Sequence, residues 1–121
     1  MSELIAGLRR TGINWSRRLR HNPRARITEV VVTHGRGDLP TKLNPRRAYQ
    51  LGEPGKWAVL ECPCGRGHRL ELNLAHPSRT RWTLTTTAGS LDGPPSLSPS
   101  VDCKAERRCH FWLREGRVRW V

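Results

Sequence analysis

Two pairs of cysteines carry the strongest chemical signal in this sequence. Cys62 and Cys64 lie in the segment CPCGRGH at residues 62–68, where proline and glycine favour a tight turn. Cys103 and Cys109 lie close together much later in the chain. Two such pairs offer four thiolates, which are preferred ligands of tetrahedral structural zinc sites. The sequence therefore predicts a Zn²⁺ site formed by all four cysteines.

The ligand set of this predicted site has an alternative. His110 follows Cys109 directly, so Cys62, Cys64, Cys109 and His110 would also form a tetrahedral set and would leave Cys103 free. A closed set of four ligands is typical of structural zinc, whereas catalytic zinc keeps one position open for water. Without a metal the thiols would be free, and one of them could act as a nucleophile. We predict a structural zinc site first and a reactive cysteine as the alternative.

Two histidines and one serine near the cysteines are candidate catalytic residues. His68 ends the first cysteine segment, and His110 follows the second pair. Ser100 lies three residues before Cys103, so closure of the metal site would bring it near His110. A serine in contact with a histidine forms the core of many hydrolase sites, with the histidine as base. The alternatives are a histidine that supports the metal ligands and a serine that only caps a loop.

The chain is strongly basic. Its 121 residues include 22 lysines and arginines against 10 acidic residues, for a formal net charge of +12. Most of the basic residues are arginines, whose planar guanidinium binds phosphate and carboxylate in a bidentate manner. This charge predicts an anionic partner, and nucleic acid is one such partner. A basic surface that is merely solvated is the alternative.

Alternation of apolar and polar residues predicts a mainly β fold, a small antiparallel sheet domain stabilised by zinc. Predicted strands include 26–33, 57–60, 70–74 and 82–86, and the last two are expected to pair as an antiparallel hairpin. Residues 88–100 are rich in glycine, proline and serine and are predicted to form a loop. A terminal hairpin is predicted over 111–121, with Gly116 at its turn.

Residues 1–22 form a candidate basic arm, either helical or flexible, and residues 23–121 form the predicted zinc-binding β domain. The arm combines a helical spacing of apolar residues with five arginines, but Gly7 and Gly12 weaken a continuous helix. No segment has the roughly 20 apolar residues needed to span a bilayer, and the N-terminus lacks the features of a signal peptide. We therefore expect a cytoplasmic protein with no membrane partner.

Four segments of the sequence together resemble a small bacterial family. They are CPCGRGHRLELNL at 62–74, RTRWTLT at 79–85, LSPSV at 97–101 and CHFWLREGRVRW at 109–120. The family occurs in mobile and defence-related gene neighbourhoods, and its members are encoded beside ubiquitin-like proteins and their activating and conjugating enzymes. The resemblance covers roughly residues 27–121 and excludes the arm.

The resemblance implies a role in a ubiquitin-like conjugation pathway, with the ubiquitin-like protein and its activating and conjugating enzymes as partners. Within that pathway it implies an accessory protein or a peptidase that matures or removes the ubiquitin-like protein. For a peptidase, the matching residues are Ser100 or a cysteine as nucleophile and His110 or His68 as base. The competing hypothesis is a zinc-ribbon-like module that binds nucleic acid through its arginines.

Overall fold

The computed structural model describes residues 25–86, 93–104 and 109–121, and these residues form eight β-strands. The strands are β1 (Glu29–Thr33), β2 (Arg47–Leu51), β3 (Trp57–Glu61), β4 (Arg69–Asn73), β5 (Thr83–Thr86), β6 (Pro95–Cys103), β7 (Cys109–Arg114) and β8 (Arg117–Trp120). Within these ranges the 3₁₀ turn Arg36–Asp38 is the only helical element. The predicted mainly β fold is confirmed.

Strands β1 to β4 form the first sheet, in sequence order. β2, β3 and β4 pair antiparallel, whereas β1 and β2 pair in parallel, with Val30 opposite Ala48 and Thr33 opposite Leu51. A parallel pair needs a crossover of about a dozen residues or more, and residues 34–46 supply it. The first sheet therefore combines two antiparallel pairs with one parallel pair.

Strands β5 to β8 form the second sheet, which is antiparallel throughout. Burial alternates along its strands: in β7, Phe111 and Leu113 are buried, whereas His110 and Trp112 are partly accessible. A period of two places one face of a sheet on the core and the other towards solvent. The outer face of the second sheet therefore presents side chains that are available for chemistry.

The two sheets share one hydrophobic core. Leu60 of the first sheet and Leu97 and Phe111 of the second are almost inaccessible to solvent within it. A smaller cluster covers the other face of the first sheet, because alternate residues of β2 and β3 enter the two clusters. Its buried members are Leu43, Tyr49, Leu51 and Val59. The first sheet is thus covered on both faces by described residues.

The predicted hairpin between residues 70–74 and 82–86 is wrong, because these strands lie in different sheets. β4 pairs with β3, and β5 pairs with β6. The side chain of Asn73 explains why the chain leaves the first sheet after β4. Its side-chain carbonyl accepts hydrogen bonds from the N–H groups of Ala75 and His76, and its amide N–H group donates to the carbonyl oxygens of His76 and Thr80. These bonds order the connection that leads the chain into the second sheet.

The predicted loop at residues 88–100 is wrong where the structure describes it, because Pro95–Cys103 is a strand with partners on both sides. Residues 88–92 lie outside the described ranges. Pro95 takes the first position of β6, and Pro99 lies where the pairing with β7 shifts register. These are two of the places where strands tolerate proline. Two neighbouring strands therefore impose an extended conformation that the local composition disfavours.

The predicted terminal hairpin is confirmed. β7 and β8 pair antiparallel, and Glu115 and Gly116 form a two-residue turn with φ values of 48° and 80°. Positive φ at both turn positions matches a type I′ turn, in which glycine is unstrained. A Cβ atom on Gly116 would lie 2.6 Å from the carbonyl oxygen of Ile27. Glycine at this position therefore serves both the turn and its close packing.

The predicted basic arm at residues 1–22 lies outside the described residues, so its state and the domain boundary at residue 23 stay predictions. In the described part of the chain, no helix has the length and apolar character needed to cross a membrane. The residues predicted to bind metal or to act in catalysis all lie within the described ranges.

Candidate functional site

The first cysteine pair lies on a tight turn between β3 and β4. The N–H of Cys62 donates to the carbonyl oxygen of His68 at 2.8 Å, which closes the turn. Gly65 and Gly67 have φ values of 78° and 83°, a left-handed conformation that glycine adopts without strain. The turn therefore brings the thiols of Cys62 and Cys64 close to the His68 imidazole.

The second cysteine pair completes a cluster of donors. Cys103 and Cys109 face each other across β6 and β7, and both are buried. The sulfurs of Cys62, Cys64 and Cys109 lie within 4.8 Å of one another, as do Cys62 Sγ, His68 Nδ1 and Cys103 Sγ. With Zn–S bonds of about 2.3 Å, sulfurs around a tetrahedral ion are about 3.8 Å apart. The thiol and imidazole donors are of the types that bind zinc, and each group of three is close enough to hold one metal ion.

His68 lies with the cysteines. Its Nδ1 atom is 3.6 Å from the sulfurs of both Cys64 and Cys103. At this position an imidazole can donate a hydrogen bond to a thiolate or add a nitrogen to the donor set. His110, which belongs to the alternative ligand set, is in neither donor group found among the described residues. The two donor groups share Cys62 and together contain all four cysteines and His68.

Burial favours the protonated form of two of the metal-free thiols, those of Cys62 and Cys109. It raises the pKa of Cys62 far above the ordinary value, and it raises the pKa of Cys109 to about 11, with a further rise from the adjacent Cys64. Cysteine nucleophiles need the opposite, a pKa lowered by a nearby positive charge or a helix N-terminus. A bound metal ion would supply positive charge to stabilise the thiolates. This cluster is therefore better suited to metal binding than to nucleophilic attack.

Ser100 and His110 meet on the outer face of the second sheet. Ser100 Oγ lies 2.7 Å from His110 Nε2, and both side chains are partly buried. With its proton on Nδ1, a neutral imidazole can accept the hydroxyl proton at Nε2. The structure thus brings together two of the predicted catalytic residues, in the geometry of a nucleophile and its base.

An irregularity in β6 positions this serine. Between successive pairs of the ladder, β6 spans residues 97–101 while β7 spans only 111–113. The extra residues are accommodated around Pro99, which has no N–H to donate to the ladder. Trp82 Nε1 donates to the carbonyl oxygen of Ser100 at 3.3 Å. Bulges of this kind redirect side chains next to active sites, and here the side chain concerned is Ser100.

Asp102 is a candidate functional residue that the sequence analysis missed. It lies directly opposite His110 in the β6–β7 ladder and two residues after Ser100, so all three side chains share a face. Side chains directly opposite in a ladder have Cβ atoms about 4.5–5.5 Å apart, which places the carboxylate within reach of the imidazole. The Oδ1 atom is buried. The sequence shows that Asp102 is two residues after Ser100. This separation places both side chains on one face only if the residues form a strand, and the sequence analysis predicted a loop up to residue 100.

The cysteines and the catalytic candidates occupy neighbouring positions of one ladder. Cys103 pairs with Cys109, and the next pair is Asp102 with His110. Because successive side chains alternate between faces, the cysteines face the core while Asp102 and His110 face outwards. A metal ion bound by both Cys103 and Cys109 would therefore fix the distance between β6 and β7 on the core side of the sheet, directly beneath Ser100 and His110.

A second serine–histidine contact provides a useful contrast. Ser78 Oγ lies 2.9 Å from His76 Nδ1 in the connection between β4 and β5. Both residues are exposed and only two positions apart, and the backbone N–H of Ser78 donates to the same nitrogen. Local bonds of this type are a usual feature of turns. The contact between Ser100 and His110 has no such local explanation, because it joins two strands.

A family model matches residues 36–121, which include both cysteine pairs, His68, Ser100 and His110. The family is described as bacterial ubiquitination-like system serine protease (BubE). The chain belongs to the BubE family. This match confirms the predicted resemblance to a family tied to ubiquitin-like conjugation. No curated protein and no solved structure matched the chain.

Proposed function

We propose that this chain is a serine protease of a ubiquitin-like conjugation system, which frees the ubiquitin-like protein from a C-terminal extension or from a conjugate. Ser100 is the nucleophile and His110 is the general base. The 2.7 Å contact between Ser100 Oγ and His110 Nε2 carries the proposal. Membership of a family described as serine proteases supports a hydroxyl rather than a thiol as the nucleophile. The activating and conjugating enzymes of the same system are further partners.

The reaction follows from the contact between serine and histidine. Ser100 Oγ attacks the carbonyl carbon of the scissile bond, and its proton passes to His110 Nε2. The C–N bond breaks as His110 gives that proton to the departing amine, which leaves an ester on Ser100. Water then attacks the ester and loses a proton to His110. Release of the carboxylate product returns that proton to the serine oxygen.

Asp102 is a positioning residue in this mechanism. From the position opposite His110, its carboxylate orients the imidazole so that Nδ1 carries the proton and Nε2 faces Ser100. It also stabilises the imidazolium that forms during attack. The three side chains come from two adjacent strands, so the ladder itself sets their spacing.

Zinc has a structural role in the proposal. Four thiolates, from Cys62, Cys64, Cys103 and Cys109, would complete the coordination of a structural zinc ion and leave no position for water. Bound there, the ion would join the turn between β3 and β4 to the β6–β7 ladder beneath the catalytic residues. His68 lies 3.6 Å from two of the sulfurs and supports the thiolates through a hydrogen bond rather than acting as the base.

The test is cleavage of a fusion in which the ubiquitin-like protein encoded beside this chain carries a C-terminal extension. Ser100→Ala should lower kcat by about 10⁴-fold or more, because it removes the nucleophile. A fluorophosphonate probe should label the wild-type protein at Ser100. Ser78→Ala is the matched control, since Ser78 also contacts a histidine, and this variant should keep full activity.

Two results would contradict the proposal. Full activity of Ser100→Ala, together with inactivation by a thiol-alkylating reagent, would assign the nucleophile to a cysteine. If the purified protein cleaves neither the fusion nor isolated conjugates, the protease function is excluded and an accessory role in the pathway is the remaining interpretation.

A further inference from the structure

The outer face of the β7–β8 hairpin carries a basic and aromatic surface that begins beside His110. Trp112 and Arg114 lie on this face of β7, and Arg117 and Arg119 lie on this face of β8. Trp112 is opposite Arg119, and Arg114 is opposite Arg117. We call these four residues the arginine–tryptophan strip. It continues the same face that holds the candidate catalytic residues.

The three arginines of the strip form no ion pair within residues 25–86, 93–104 and 109–121. Ion pairs found there include Arg36 with Glu71 and Arg47 with Glu29, and neither of these two involves a strand of the second sheet. An open groove of about 870 Å³ runs past the strip, and its lining has four arginines and one carboxylate, Glu115. Like charges on neighbouring strand positions repel each other. The surface therefore favours a ligand that carries negative charge.

Stacking orients one of these arginines for carboxylate binding. Arg114 Cζ lies 4.9 Å from the centroid of the Trp112 ring. A guanidinium held over an indole keeps its N–H groups available for bidentate bonds to a carboxylate. Because the side chain is already ordered, less conformational entropy is lost on binding. The indole also offers apolar surface to an extended peptide.

The spacing along β7 determines which part of a substrate meets the strip. At a rise of about 3.3 Å per residue, Trp112 lies about 7 Å and Arg114 about 13 Å along the strand from His110. An extended substrate that runs along β7 has the same rise. Its second residue from the scissile bond would then lie over Trp112 and Arg119, and its fourth over Arg114 and Arg117.

We propose that the arginine–tryptophan strip is a specificity surface for an acidic, extended segment of the protein substrate, with Asp or Glu two to four residues from the scissile bond. This inference rests on the proposed protease function, because the contact between Ser100 and His110 defines where the scissile bond lies. Unpaired arginines on the strip bind the acidic side chains, and Trp112 packs against the chain between them.

Binding to full-length Ser100→Ala tests the surface separately from the chemistry. The probes are fluorescein-labelled peptides based on the tail of the ubiquitin-like protein. Each peptide carries Asp, Asn or Lys at both the second and the fourth residue from the cleavage point. One set of peptides has these substitutions before the cleavage point, and a second set has them after it. Anisotropy should show the Asp peptide binding about tenfold tighter than the Asn peptide, with the Lys peptide weakest. The preference should shrink as salt is raised. Equal binding of all three peptides would overturn the inference even if Ser100→Ala is inactive.

Charge reversal in the active protein gives the second readout. Arg114→Glu combined with Arg119→Glu should raise KM for the Asp peptide by about tenfold, leave kcat unchanged and shift the preference to the Lys peptide. The matched control combines Arg46→Glu with Arg79→Glu, which makes the same charge change at exposed positions outside the strip. A similar rise in KM in the control, or an equal loss for all peptides in the strip variant, would overturn the inference.

Nucleic acid is the other anionic ligand that clustered arginines attract. A single-stranded RNA of about 20 nucleotides is therefore used as a competitor at physiological salt. Displacement of the Asp peptide by this RNA at lower concentration than unlabelled Asp peptide, with the effect lost in the charge-reversal variant, would overturn the assignment to an acidic substrate. Failure of the RNA to compete supports it.

Discussion

The two four-stranded sheets of this protein differ in what covers their faces. In the first sheet, Ala48 of β2 enters the core shared with the second sheet, while its neighbours Tyr49 and Leu51 enter the smaller cluster on the opposite face. In the second sheet, the buried residues of β7 alternate with partly accessible ones such as His110. The first sheet thus acts as a scaffold, and the second presents a face on which chemistry can occur.

Two arginine–tryptophan contacts, one on Trp57 of the first sheet and one on Trp112 of the second, show the same difference. Arg36 lies over the Trp57 ring at 5.2 Å and is paired with Glu71. Arg114 lies over the Trp112 ring at 4.9 Å, and none of the described carboxylates forms an ion pair with it. The two contacts have similar distances, but the charge of Arg36 is neutralised by Glu71, whereas the charge of Arg114 is available to a ligand. Net charge alone therefore does not show which arginines are available to bind an anionic ligand, whereas the ion pairs do.

After Ser100→Ala, the largest effect should come from Asp102→Asn on the outer face of the second sheet. Asparagine keeps the shape but lacks the charge that orients His110 and stabilises its protonated form. We expect kcat to fall by about 10³–10⁴-fold with KM and the thermal midpoint little changed. The NMR resonance of the His110 Nδ1 proton should also lose its hydrogen-bonded downfield shift.

Asp38→Asn is the control for this substitution, because Asp38 is an exposed carboxylate in the 3₁₀ turn. Its activity should match that of the wild type. If Asp102→Asn retained most of the wild-type kcat, Asp102 would have no part in catalysis and the site would consist of Ser100 and His110 alone.

A smaller effect, on stability instead of rate, is expected from Leu51→Ala in the first sheet. Leu51 is 4% exposed and belongs to the smaller cluster. Loss of its buried side chain should lower the free energy of unfolding by about 2–5 kcal/mol. Because this cluster lies on the face away from the second sheet, kcat/KM of the folded fraction should stay unchanged. A large loss of kcat/KM in protein that is still folded would show that the two sheets are coupled.

The smallest effect expected is a pH dependence of stability in protein stripped of metal by a chelator. In the folded metal-free protein, burial raises the pKa of Cys109 from 9.0 to about 11. Between these values the thiol ionises in the unfolded chain but stays protonated in the folded one, so the free energy of unfolding falls as pH rises. Below pH 9.0 the thiol is protonated in both states and this contribution to stability is fully retained.

Denaturant titrations at about pH 8 and about pH 10 measure this effect, and the zinc-loaded protein is the control. Its thiolates are already ligated, so it should lose less stability over the same range. An equal loss with and without zinc would assign the pH dependence to other titrating groups.

Local features of the site were predictable from the sequence. The turn at 62–68 depends on glycines that adopt positive φ, and the terminal hairpin depends on Gly116 in the same way. The alternation of apolar and polar residues predicted a mainly β fold. The contact between Ser100 and His110 was predicted only on the condition that the cysteines come together, because nothing in the separation of the two residues requires them to meet.

Residue types and short-range backbone preferences thus determined the cysteine turn, the hairpin and the candidate chemical groups. Only the tertiary structure decided that β6 is a strand, that β4 and β5 lie in different sheets, and that Asp102 lies opposite His110. The physical reason is that turn conformations depend on the residues within the turn, whereas strand partners depend on burial summed over the whole core. Pro95 and Pro99 would favour a loop in isolation, but pairing on both sides of β6 outweighs that preference.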